Sequence, residues 1–138
     1  MSIVQTQTTS FKKELYQGIH DLSTDTIKIA LYTGNADLNE ATTVYSSTNE
    51  VTGTGYTAGG EVMTGASINS SGSVAYVNWN NVSWTAALTA RCALIYNASK
   101  ANRSIAVLDF GSDKTSTTTF TITMPANTST TALIRSSN

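Results

Sequence analysis

Arg91-Cys92-Ala93-Leu94-Ile95-Tyr96, Ser104-Ile105-Ala106-Val107-Leu108-Asp109-Phe110, Thr118-Thr119-Phe120-Thr121-Ile122-Thr123-Met124 and Thr131-Ala132-Leu133-Ile134-Arg135 follow one another closely near the end of the chain. Each run is short and rich in β-branched or aromatic residues, and each is bounded by Asn, Ser, Gly, Lys or Pro. That is the sequence form of an antiparallel sandwich or barrel. In the first two runs both alternating faces are apolar, whereas a strand with one wet face alternates apolar with polar. A second face therefore needs a cover, for which an upstream amphipathic helix and a neighbouring subunit are the candidates. Thr119, Thr121 and Thr123 instead form a polar face that reads as solvent.

Upstream, Ser73 to Trp79 and Val82-Ser83-Trp84 flank Asn80-Asn81 and form either a hairpin or one bent strand with a bulge. Their short flanks favour the bulge. Glu61 to Thr64 begins another strand, Gly53 to Gly60 is a loop of positive-φ glycines, and Thr42 to Tyr45 is a helical turn or a short strand. Thr26 to Thr33 alternates with Ile27, Ile29 and Leu31 inward, then stops at Gly34-Asn35. Phe11, Leu15, Ile19 and Leu22 recur at helical spacing behind Ser10 as cap, predicting a helix from Ser10 to about His20. The predicted fold is all-β, an antiparallel β-sandwich with one short N-terminal amphipathic helix. Residues 10–138 are expected to form the single domain and residues 1–9 a flexible arm, so that deleting residues 1–8 leaves the thermal stability almost unchanged while weakening attachment to a partner. Ile3-Val4 would anchor that arm on a neighbouring surface.

A chain of 138 residues buries enough surface to fold without disulfide or metal. Charged residues make up 12%, net charge is −1 and no Lys/Arg block occurs, so the electrostatic footprint of a nucleic-acid binder is missing. Ser and Thr supply roughly 30% of the chain, well above ordinary usage. The first residues lack the basic and apolar regions of a signal peptide, and no run has bilayer-spanning length. Synthesis in the cytoplasm and no membrane partner are expected. Cys92, alone in an apolar run, reads as a buried structural thiol.

Motifs carrying chemistry are weak. Asp109-Phe110-Gly111 spells a kinase magnesium motif without its companions and reads as a strand end followed by a Gly turn. His20-Asp21 lacks a Gly-x-Ser-x-Gly elbow, and Asp37, Asn39 and Glu40 lack EF-hand spacing and read as a solvated turn. The expectation is a non-enzyme with no metal and no cofactor. Tyr76, Trp79 and Trp84 suggest an aromatic platform for sugar, although aromatic residues on strands more often fill a core.

The succession Ser10-Phe11-Lys12-Lys13-Glu14-Leu15, Gly18-Ile19-His20, Asp25 to Thr33, Gly53 to Gly60 and Ala93-Leu94-Ile95-Tyr96-Asn97 resembles small head proteins of tailed bacteriophages, the cement or decoration type. The likeness runs from about Ser10 to Arg135 and rests on order and coverage, with no single diagnostic motif. It implies a jelly-roll-like fold on the capsid exterior of the virion, clamping neighbouring major capsid proteins as a homodimer or homotrimer. Ile3, Val4, Phe11 and Tyr56 are the candidate capsid or subunit contacts. A carbohydrate-binding module or tail-fibre-like adhesin is the alternative.

Overall fold

Alternation of β-branched and aromatic residues does generate strands, and turn residues separate them. The computed structural model describes residues 2–137. In chain order these form β1 (Thr6–Gln7), α1 (Thr9–Tyr16), β2 (Ile27–Tyr32), β3 (Glu61–Val62), β4 (Ser67–Ser71), β5 (Val74–Asn78), β6 (Val82–Trp84), β7 (Thr89–Asn97), β8 (Arg103–Thr115), β9 (Phe120–Ile122) and β10 (Ile134–Ser136). A five-stranded sheet, β1-β8-β7-β2-β3, faces a second layer made of β10-β5-β4 and β6-β9. All paired strands are antiparallel. The result is an all-β, sandwich-like fold with one short helix, as the strand pattern predicts.

Between the layers lies the main core. Ile27, Ile29 and Leu31 of β2, Ala93 and Ile95 of β7 and Ile105 of β8 meet Val77, Trp84, Phe120 and Ile134 of the opposite layer. The other face of the large sheet carries Ala30, Tyr32, Cys92, Leu94, Tyr96 and Val107. Its cover is the chain itself: Ala36, Leu38 and Tyr45 of the 33–50 segment, with Ile3, close over it. This corrects the expectation that the helix or a neighbouring subunit covers that face, since Phe11 of α1 packs into the main core instead. Leu94 and Val107 are already fully buried within one chain.

The arm is also corrected. Thr6 and Gln7 pair with Val107 and Ala106 at the edge of β8, and Ile3 bridges Leu38. Thr8, fully buried, caps α1 by accepting from the Phe11 amide at 3.3 Å, so it and not Ser10 begins the helix. A polar segment can join a sheet because backbone amides, not side chains, make the ladder. The helix stops at Tyr16, short of His20. The Gly18 amide donates to Leu15 O and the Ile19 amide to Glu14 O, with Gly18 at φ 69, which is a Schellman ending.

Two strand assignments change as well. β5 and β6 join different sheets, so the chain neither makes a hairpin nor continues one strand across Asn80-Asn81. β8 does not end at Gly111: a bulge at φ 83 carries it on to Lys114 and Thr115, which pair with Ala90 and Thr89. The Gly53 to Gly60 loop does hold positive-φ glycines. Gly60 is the tightest of them, because a Cβ there would stand 1.8 Å from Ile29 O.

Candidate functional site

Two clusters collect most of the buried ionisable groups, and both act as struts. Glu50, 8% exposed, accepts from Tyr45 Oη at 2.5 Å, Tyr56 Oη at 2.5 Å and the Gly59 amide at 2.8 Å. Tyr56 Oη accepts in turn from the Leu31 amide, and Tyr96 Oη donates to Gly59 O at 2.6 Å, pinning the glycine loop onto β2 and β7. Burial, with the Glu50 charge behind it, pushes the Tyr96 phenol up to about 12. Burial followed by the hydrogen bond to Glu50 moves Tyr45 and Tyr56 further in the same direction. These phenols hold a loop and are poor proton donors at neutral pH.

The second strut joins the helix to the sheet end. Asn97 Nδ2 donates to His20 Nδ1 at 2.9 Å and Asp25 Oδ2 at 2.8 Å, while Asn97 Oδ1 accepts from the Ser99 amide. His20 Nε2–H therefore donates to Glu14 Oε1, 2.8 Å away. Lys100 and Arg103 close the cluster on Asp25 and Glu14. Both ring nitrogens of His20 are taken, and Asp21 binds Ser23 rather than His20, so these two residues do not form a dyad facing a hydroxyl.

Burial pushes the Cys92 thiol up to about 12, in keeping with a structural thiol. Asp37 Oδ1 accepts from the Ser2 amide and Asn39 Nδ2, and Asn39 Oδ1 from the Ala41 amide, which builds a turn. Among the described residues no group of three or more His, Cys, Asp or Glu is placed to hold a metal ion, and no helix is long and apolar enough to cross a membrane.

Most sequence-predicted contact residues lie inside. Phe11 is fully buried and Tyr56 is 8% exposed, so neither can meet a partner, and Ile3 is half-buried under the second core. Of the four, Val4 alone presents a largely exposed side chain. Trp79 and Trp84 are core residues, with Trp84 flanked by the Tyr56 and Phe120 rings. Tyr76 is half-buried, and the three rings offer no open platform for a sugar.

What the surface does carry is a groove of about 910 Å³ between α1 and the three-stranded sheet. Leu15, Tyr16 and Leu22 form one wall, Ile68, Tyr76 and Ile134 the other. Tyr16 is 94% exposed and Ile68 53%. Leu15 and Tyr16 stand in the last turn of α1, just before the Schellman ending, and both are exposed. Tyr16 and Ile68 escaped the sequence reading, although each carries a signal: an aromatic residue off the apolar helical stripe, and one aliphatic residue within a Ser/Asn segment. No family model, no curated protein and no solved structure matches the chain.

Proposed function

We propose that the protein is a structural, non-enzymatic component of a virion that sits on the outside of a tailed-phage capsid and cements neighbouring major capsid proteins. The observation that carries this reading is the groove beside α1, whose apolar side chains stand among Lys12, Asp21 and Arg135 on a Ser/Thr-rich surface of low charge. Its Tyr16, Leu15 and Ile68 side chains are large, exposed and grouped, which is the composition of a docking surface. The ionisable groups best placed for chemistry are spent on internal struts. The sandwich-like fold and the sequence resemblance to head decoration proteins supply the choice of partner. Repetition over a symmetric shell would let many small contacts act together.

The test is decoration of emptied phage heads. Wild-type protein is expected to co-sediment with shells, and Tyr16→Ser to lose attachment with an unchanged denaturation midpoint, since Tyr16 contributes almost nothing to the core. Equal binding by both proteins removes the groove from the interface. Failure of the wild type to bind any shell removes the capsid reading.

A further inference from the structure

Sheet edges are templates for a further strand, and proteins usually blunt them with charge, proline, shortness or a bulge. β3 is two residues long and contains Glu61, and the exposed end of β8 carries Asp113, Lys114 and the Gly111 bulge. β10 carries Arg135, whose carbonyl is occupied by Gln7 Nε2 at 3.0 Å. β4 has none of these protections. It is five residues, Ser67-Ile68-Asn69-Ser70-Ser71, with no charge and no proline, paired to β5 on one side and open on the other.

The ladder shows which groups are free. Ser71 pairs with Val74 around the two-residue turn Gly72-Ser73, with Gly72 at φ 59. A two-residue hairpin closes on a hydrogen-bonded pair, and bonded pairs then alternate with unbonded ones. Ser71, Asn69 and Ser67 therefore face β5, and the N–H and C=O groups of Ile68 and Ser70 point outward. Among the described residues no hydrogen bond outside the ladder reaches them.

We infer that β4 is a self-association edge, pairing antiparallel with β4 of a second copy around a two-fold axis that sets Ile68 against Ile68. The segment is neutral and self-complementary, so no like charges meet across the axis. The pairing extends the inward row Ile134, Val77 and Ile68, which runs from buried at β10 to 53% exposed at β4. With Ile68 on the axis, Ser67 faces Asn69 and Ser70 faces Ala66 of the second copy, so the pairing spans residues 66–70 and lies below the area of a standard stable interface. The isolated dimer is accordingly weak and concentration-dependent. This inference stands apart from the capsid reading, because its assay contains only this chain.

Sedimentation equilibrium of the full chain over a wide concentration range, with amide hydrogen exchange by NMR, provides the test. Dimer formation is expected with added protection at the Ile68 and Ser70 amides and no change at Asn69 and Ser71. Ser70→Pro removes an outward N–H without touching the β5 ladder, and Ile68→Lys places two cations at the axis. Each should weaken association roughly tenfold or more. If Ser70→Pro does not fold, Ile68→Lys alone decides. A monomer at every concentration, protection at a different edge, or variants that dimerise like wild type would overturn the inference. Protection of these two amides only when capsid shells are added would also overturn it, by giving the edge to a shell strand.

Discussion

Glu50 shows how a buried carboxylate becomes a structural part: it receives two phenol hydroxyls and an amide, and each donor would be stranded without it. Glu50→Ala should cost about 3 kcal/mol or more and Tyr56→Phe about 1.5 to 3 kcal/mol, both read from urea denaturation. Asp25 supplies a pH dependence. Burial opposes its charge, but hydrogen bonds from Asn97, the Asp21 amide and Lys100 outweigh that and hold the carboxyl down at about 2. Because the folded value lies below the unfolded one, the stabilisation is complete above pH about 4 and is lost as pH falls through about 2. Asp25→Asn should lower stability at neutral pH and flatten the loss between pH 4 and 2, measured as denaturation midpoints across that range. At this scale aromatics read two ways: Phe11 and Tyr56, expected as contacts, are core residues, whereas Trp84 fills the core as aromatic residues on strands more often do. Only neighbours distinguish the two.

β1 and the N-cap make the first eight residues part of the fold. Thr8 donates its amide to Ile105 O, accepts from Ser104 Oγ and caps α1, and Ile3 helps close the second core. Deleting residues 1–8 should therefore lower stability by about 2 kcal/mol or more, seen as a lower thermal midpoint. An unchanged midpoint would restore the picture of a free arm. In the central strands Leu94→Ala should cost about 2 to 4 kcal/mol and Val107→Ala somewhat less, since both are fully buried against the 33–50 segment. Chemical denaturation checks both. β2, β7 and β8 were legible because their apolar runs are long. β4 was not, because Ser67 to Ser71 has one apolar residue and owes its strand form to the Gly72 turn and pairing with β5.

For the whole molecule, the central sheet is covered twice, once by the opposite layer and once by its own 33–50 segment, and the groove proposed for partners lies beside the helix. Ile68 belongs both to the groove and to the open β4 edge, and self-pairing and shell attachment thus meet at one side chain. Replacing Tyr16 should affect attachment without affecting self-association, whereas Ser70→Pro should do the reverse. Sedimentation with and without shells separates them.

Apolar alternation and turn residues determined from the sequence alone that this is an all-β antiparallel fold with one short helix, because those signals are local and repeat along each strand. Doubly apolar β7 and β8 also announced a second buried face. Which segment covers it, which aromatics are inside and where the groove lies were decided by tertiary structure. Each depends on pairs far apart in the chain, such as Val107 with Thr6, Asn97 with His20 and Tyr96 with Gly59. No local pattern encodes such meetings, since the same residues would bury as well against other neighbours.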